Sequence, residues 1–95
     1  REVEEMIYRL PQVSEVAVIG LPDAKWIEAV TAVIVVKQGQ ALTEADVIDH
    51  CNAHMAHFKS PKRVVFVDAL PKNPSGKLLK RELRKTVGGA AGGID

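Results

Sequence analysis

The sequence predicts an α+β domain in which helices flank a small three-stranded sheet, in the order α-β-β-α-β-α. Two observations favour this fold class. Three short segments are rich in β-branched residues and bounded by turn residues, and three others carry apolar residues at helical spacing. With 95 residues, the chain can form one domain with a modest core.

The first half of the chain predicts a helix and two strands. Pro11 ends a short helix over residues 2–10, whose four apolar residues recur at i, i+3, i+4 and i+7: Val3, Met6, Ile7 and Leu10. Residues 13–20 predict a strand and residues 21–24 a turn. Residues 28–37 then form the most β-branched run of the sequence, which predicts the second strand.

The second helix has a recognisable start signal. Thr43 is the expected N-cap residue, Asp46 stands three positions later as in a capping box, and Leu42 can pack against Val47. We therefore expect a helix over residues 44–55.

The rest of the chain predicts a strand, a loop and a basic helix. The strand is expected over residues 63–67, and the loop 71–77 follows with two prolines and a glycine. The helix is expected from about Leu78 with Ser75 as its N-cap. Its inward face would be formed by residues at i, i+4 and i+8: Leu79, Leu83 and Val87.

Composition argues against several protein classes. No apolar stretch nears the roughly 20 residues of a membrane-spanning helix, and Glu2, Glu4 and Glu5 do not fit a signal peptide. The single cysteine, Cys51, cannot form an internal disulfide, so we expect a reducing, cytoplasmic location. Because the chain opens at Arg1 within a predicted helix, without an initiator Met, we expect a piece of a longer protein.

Charge is distributed unevenly along the chain. Residues 1–58 hold four basic and nine acidic side chains, a balance of −5, whereas residues 59–85 hold nine and two, a balance of +7. Such a field attracts an anionic partner to the C-terminal third.

Residues 88–95 are rich in Gly and Ala and predict a disordered tail, which leaves residues 1–87 as the domain.

The loop Pro71–Lys77 is the most specific feature of the sequence. Gly76 permits conformations closed to other residues, and Lys77 follows at once. A lysine ammonium is a compact charge that can meet a carboxylate and a phosphate together. The loop is not a Walker A motif, because Pro71 and Leu78 stand where that motif needs Gly and Ser or Thr. Taken alone, it also fits a solvated turn with a surface lysine.

The wider pattern resembles a known family. From VSEVAVIGLPDAKW to HFKSPKRVVFVDALPKNPSGKLLKREL, the chain is similar to the C-terminal domain of adenylate-forming acyl- and aryl-CoA synthetases. The PKxxxGK loop, the K-x-P-K-R segment ahead of it and the basic helix after it carry the resemblance, which covers residues 1 to about 85. It is nearest to ligases of the 4-chlorobenzoate type and to fatty acyl-CoA ligases.

The resemblance implies a two-step reaction in a longer enzyme. A carboxylate attacks ATP to give an acyl-adenylate, and CoA then displaces AMP. Lys77 is implied to serve the first step, on a loop supported by Pro74, Ser75 and Gly76. The domain would then rotate against a large N-terminal domain, absent from this chain, and turn its opposite face to CoA. ATP with Mg, and CoA, are the implied ligands of the complete enzyme. None is expected to stay bound to this domain, which would be inactive alone.

The same resemblance places three residues at the CoA channel. Trp26 would lie near the pantetheine arm, Phe58 would stack on the adenine, and Lys62 would lie near the nucleotide phosphates. Ser60 replaces an arginine of the family pattern, and Ile27 replaces a frequent glycine. On sequence alone, Trp26 also fits a core residue and Phe58 a loop anchor.

Three histidines recur on one predicted helical face: His50, His54 and His57. Histidines at i and i+4 can bind zinc. No glutamate stands between them in the metalloprotease pattern, and Cys51 belongs to the apolar face. We predict a solvated polar face and no metal site.

Two other functions stay open, one favoured by the basic segment and one implied by the resemblance, whose family includes peptide-synthetase domains. A small nucleic-acid-binding module would use the basic helix beside the sheet, although the chain lacks the aromatic pair of an RNA-recognition sheet. A carrier-protein docking module would receive a phosphopantetheine arm in place of free CoA. We favour the ligase domain, whose partners are its own N-terminal domain, ATP or acyl-adenylate, and CoA. No nucleic acid and no membrane span are expected.

Overall fold

A computed structural model describes residues 2–23, 27–56 and 59–92 of the chain. The elements follow the order that the sequence predicts. The helices are α1 (Glu2–Tyr8), α2 (Glu44–His54) and α3 (Lys80–Gly92), and the strands are β1 (Val13–Asp23), β2 (Ile27–Val36) and β3 (Arg63–Phe66). The α+β class and the order α-β-β-α-β-α are confirmed.

The three strands form one mixed sheet in the order β1-β2-β3. β1 and β2 are antiparallel neighbours and form a hairpin. β3 is parallel to β2 over its four residues. A tight turn cannot connect parallel strands, and α2 lies in the crossover between them.

Both faces of this sheet are buried by helices. On one face lies cluster 1, with α1 and α2 packed over the strands: Ile7, Val13, Val16, Ala32, Ile34, Val47 and Cys51. On the other lies cluster 2, with α3 packed over the strands: Ala17, Ile19, Leu21, Val33, Leu83 and Val87. Successive residues of a strand point to opposite faces of the sheet. Strands that are buried on both faces therefore have nearly continuous apolar sequences.

An irregularity near the start of β1 sets the phase of its side chains. The pairing register shifts between Val13 and Glu15, as it does where one extra residue enters a strand. Val13 and Val16 therefore share cluster 1 although three positions separate them. A regular strand would have placed them on opposite faces.

Helix α2 begins as predicted. The Thr43 hydroxyl accepts a hydrogen bond from the Asp46 N–H at 3.1 Å, and the Asp46 carboxylate accepts one from the Thr43 N–H at 3.0 Å. This is a complete capping box. Leu42 packs against cluster 1, which contains Val47.

Helix α1 covers the outer edge of β1. The Val16 N–H donates to the Tyr8 hydroxyl at 3.3 Å, and the Val18 N–H donates to Glu4 Oε2 at 2.9 Å. Edge strands otherwise present such amide groups unpaired. Side chains of a seven-residue helix thus supply acceptors that a fourth strand would have supplied.

The hairpin extends further than the sequence predicts. The turn expected over residues 21–24 is wrong for its first three positions, because β1 continues to Asp23, which pairs with Ile27. Leu21 is buried in cluster 2 and holds the chain in the sheet. The N–H groups of Val16 and Val18 point to the outer edge of the sheet. Pro22 stands an even number of residues further along β1, so its nitrogen faces the same edge and no strand-to-strand hydrogen bond needs it.

Helix α3 begins at Lys80, later than the expected start near Leu78. The predicted N-cap, Ser75, lies five positions ahead of the helix, and its hydroxyl bonds to Asn73 instead. Leu83 and Val87 face cluster 2 as expected. The helix extends to Gly92, within the segment that the sequence predicts to be disordered. The division of the chain into a domain and a tail at residue 87 stays a prediction. Within the described ranges, no helix is long and apolar enough to cross a membrane.

Candidate active-site loop

The loop between β3 and α3 is a short hairpin with a base and a tip. In the base (residues 71, 72, 78 and 79), the Leu79 N–H donates to the Pro71 carbonyl at 2.9 Å. Lys72 and Leu78 form an antiparallel bridge. The base therefore brings both ends of the loop together immediately before α3 begins.

The tip (Asn73–Lys77) is a closed turn. The Asn73 N–H donates to the Lys77 carbonyl, and the Gly76 N–H donates to the Asn73 carbonyl, each at 2.9 Å. Gly76 has φ of +88°, in the left-handed region that favours glycine. With Pro74 second and Gly76 fourth, this is the pattern of a type I turn followed by a glycine bulge.

The Asn73 side chain organises the tip. Its Oδ1 accepts three hydrogen bonds, from the Ser75 N–H at 3.0 Å, the Ser75 hydroxyl at 2.8 Å and the Lys77 N–H at 2.9 Å. Sequence reasoning assigned no role to Asn73. The signal was available, because Asn favours the first position of such a turn and bonds to the backbone that follows it.

Lys77 is the exposed end of this arrangement. Lys72 and Lys80, on either side of the tip, lie 2.8 Å from Glu15 Oε1 and 3.8 Å from Glu4 Oε2. Within the described part of the chain, no carboxylate pairs with the Lys77 ammonium. The predicted loop residues Pro74, Ser75, Gly76 and Lys77 are thus brought together in one turn that ends in an exposed ammonium.

The residues expected at the CoA channel are only partly described. Trp26 and Phe58 lie outside the described residues. Lys62 is half-buried, and its N–H donates to the Val30 carbonyl at 2.8 Å. Lys62 immediately precedes β3, and the loop begins at Pro71, after the four residues of that strand and residues 67–70.

Ser60 is unsuited to replace an arginine in contact with a phosphate. Its side chain is only 3% exposed, and its hydroxyl has no hydrogen-bond partner among the described residues. A buried hydroxyl cannot reach a ligand on the surface as a long guanidinium side chain can.

The histidines of α2 use ring nitrogens for structural contacts. The His50 Nε2–H donates to the Met6 carbonyl at 2.9 Å and joins α2 to α1. The His54 Nδ1–H donates to the His50 carbonyl at 2.8 Å. His57 lies outside the described residues. Burial in cluster 1 raises the pKa of the Cys51 thiol, which keeps it protonated. Among described residues, no three His, Cys, Asp or Glu form a group that could hold a metal.

The fold and the loop define a class of protein: a small α+β domain with helices on both faces of its sheet and an exposed lysine on a preformed turn. The family model for the C-terminal domain of AMP-binding enzymes matches residues 2–77. The chain belongs to this family, and the resemblance inferred from its motifs is confirmed.

Individual relatives are acyl- and aryl-CoA ligases. Long-chain-fatty-acid–CoA ligase FadD13 of Mycobacterium tuberculosis is 46% identical over 84 residues, which cover 88% of this chain and 16% of the ligase. ATP-bound MatB from Rhodopseudomonas palustris has a TM-score of 0.87 at 45% identity, covering 92% of this chain and 17% of that one.

A third relative, the anthranilate CoA ligase AuaEII in complex with anthranoyl-AMP, has a TM-score of 0.82 at 39% identity. The match covers 95% of this chain and 18% of that one. The chain thus corresponds to a small part of much longer ligases.

Proposed function

We propose that the chain is the mobile C-terminal domain of an ATP-dependent ligase that joins a carboxylic acid to CoA, and that Lys77 serves the adenylation step. The observation that carries the proposal is the exposed ammonium on a preformed turn, with which no carboxylate of the described residues pairs, in a chain of the AMP-binding family.

The first half-reaction brings two anions together. A carboxylate oxygen of the acid attacks the α-phosphorus of ATP, the bond to the β-phosphate breaks, and pyrophosphate leaves with the electron pair. Negative charge accumulates where the acid and phosphate oxygens approach. A cation held there stabilises the transition state more than the separated reactants. The Lys77 ammonium can supply that charge because no carboxylate in the described residues neutralises it.

Magnesium would enter this step as part of the ATP complex. The described residues form no carboxylate and imidazole group that suits a metal. We assign the Mg-ATP contacts to the part of the complete enzyme that this chain does not cover, since the relatives are several times longer.

In the second half-reaction, the CoA thiol gives its proton to solvent and its sulfur attacks the acyl carbon; the bond from that carbon to the AMP oxygen then breaks, and AMP leaves with the electron pair. We propose that the domain rotates between the steps, so that Lys77 withdraws and another face approaches CoA. Trp26, Phe58 and Lys62 are the proposed contacts.

The acid itself is not selected by this domain in our proposal. Relatives of similar likeness act, by their names, on long-chain fatty acids and on anthranilate. Similar C-terminal domains thus accompany very different acids, which supports a substrate pocket elsewhere in the complete enzyme.

The test is Lys77→Ala in the complete enzyme, with the two half-reactions measured separately. Pyrophosphate release should fall by about 10²–10³-fold, the range for loss of one transition-state charge contact. Thioester formation from supplied acyl-adenylate should change by less than about threefold. Lys85→Ala is the control, because it removes an exposed lysine from α3 rather than from the loop. Normal pyrophosphate release by the Lys77 variant would refute the proposal.

The nucleic-acid alternative draws on the exposed basic residues of α3. Family membership supports the ligase proposal instead. Binding of the chain to random RNA or DNA, measured against salt concentration, separates the two, because phosphate-backbone binding weakens steeply with salt. A cytoplasmic location and inactivity of the isolated domain stay predictions.

A further inference from the structure

We propose that Asn73 is a positioning residue for Lys77, whose side-chain oxygen fixes the backbone from which the ammonium reaches its substrates. This inference rests on the proposed adenylation role of Lys77. It adds a residue that acts only through Lys77 and touches no substrate itself.

Both backbone polar groups of Lys77 bond to the same residue. The Lys77 N–H donates to Asn73 Oδ1, and the Lys77 carbonyl accepts from the Asn73 N–H, both at 2.9 Å. The position of the Lys77 Cα is therefore set by Asn73 on two sides. The Lys77 side chain adds no ion pair within the described residues that could orient it otherwise.

The chemistry of Asn suits this role. Two of the three groups that face its side chain are backbone N–H groups, which can only donate, so the atom facing them is the amide oxygen. A carboxylate could accept the same bonds, but it would place a negative charge beside the ammonium. The amide accepts without neutralising the charge that the adenylation step uses.

The remaining bonds of Asn73 keep the turn closed. Its oxygen also accepts from the Ser75 N–H and hydroxyl, and its carbonyl accepts from the Gly76 N–H. Removal of the side chain leaves three donors at an exposed tip, where water can bond to them in many geometries. The expected consequence is a folded domain whose lysine occupies several positions, of which few suit the reaction.

The experiment compares Asn73→Ala, Lys77→Ala and the double variant in the complete enzyme. Asn73→Ala should lower the maximal rate of adenylation by about 10- to 100-fold, with the KM values for acid and ATP within about twofold. Thioester formation from supplied adenylate should be unchanged within threefold, and the unfolding midpoint should shift by less than about 3 °C. In the Lys77→Ala background, the same change should have no further effect on adenylation.

Asn52→Ala is the matched control, since it makes the same chemical change on α2, away from the loop. It should leave both half-reactions at normal rates. If Lys77→Ala abolishes adenylation but Asn73→Ala does not, the positioning role is overturned while the proposed function stands. Equal losses with and without Lys77 would also overturn it. If Lys77→Ala itself has no effect, the proposed function fails first.

Discussion

The base and the tip of the loop are held in different ways. The base bonds to other parts of the molecule, through Lys72 to Glu15 on β1 and through Leu78, which packs against cluster 2. The bonds that shape the tip run between its own residues, largely through Asn73. The location of Lys77 therefore depends on packing across the domain, whereas the shape of the turn depends on five consecutive residues.

The largest expected effect comes from removing a buried side chain of α3 that supports the base of the loop. Leu83 is buried in cluster 2, so Leu83→Ala should lower the free energy of unfolding by about 2–5 kcal/mol, through lost burial and the cavity it leaves. Urea unfolding of the chain, followed by circular dichroism, measures the loss. Arg84→Ala, at the next and exposed position of α3, should change it by less than about 0.5 kcal/mol. Equal effects would contradict the assigned packing of α3.

A smaller loss of stability is expected from a change in the backbone of the tip. Gly76→Ala strains a residue at φ +88°, although nothing lies within 4 Å of the added methyl group. The cost is about 1–2 kcal/mol, or a rearranged turn. Gly39→Ala is a close match, at φ +80° with the same open space.

Both glycine variants should therefore lose similar stability in urea unfolding of the chain. Only Gly76→Ala should also slow adenylation by the complete enzyme, because only it changes the backbone that carries Lys77. Slow adenylation in the Gly39 variant would show that activity follows stability rather than loop shape.

The smallest expected effect concerns the ion pair at the base. The Lys72 and Glu15 side chains are 42% and 34% exposed, so solvent screens their attraction. Glu15→Gln should lower the free energy of unfolding by at most about 1 kcal/mol, and by less in 1 M salt. Adenylation should stay within about twofold, because Leu78 and the backbone bonds still hold the base. A loss near that of Leu83→Ala would mean that the ion pair, rather than packing, fixes the loop.

The sequence predicts a helix start well where local contacts decide it, and less well where the folded chain offers a competing partner. The start of α2 was predictable because Thr43 and Asp46 bond to each other within one turn. The start of α3 was not, since Ser75 has the character of an N-cap but its hydroxyl bonds to Asn73. The competing acceptor is Asn73 Oδ1, two residues before Ser75, and only the folded turn shows that the Ser75 hydroxyl bonds to it.

The extent of β1 depended on contacts that sequence spacing does not reveal. Leu21-Pro22-Asp23 has the composition of a turn, yet burial of Leu21 under α3 keeps the segment paired. The motif singles out Lys77, whose role stays a prediction, whereas it gives no role to Asn73, because only the folded turn shows three donors meeting at one oxygen.

The cover that α1 places on β1 limits how this edge of the sheet can associate with another chain. With Glu4 and Tyr8 occupying its outward amides, β1 offers these positions to no strand from another chain. This part of the edge is therefore protected from self-association by strand pairing.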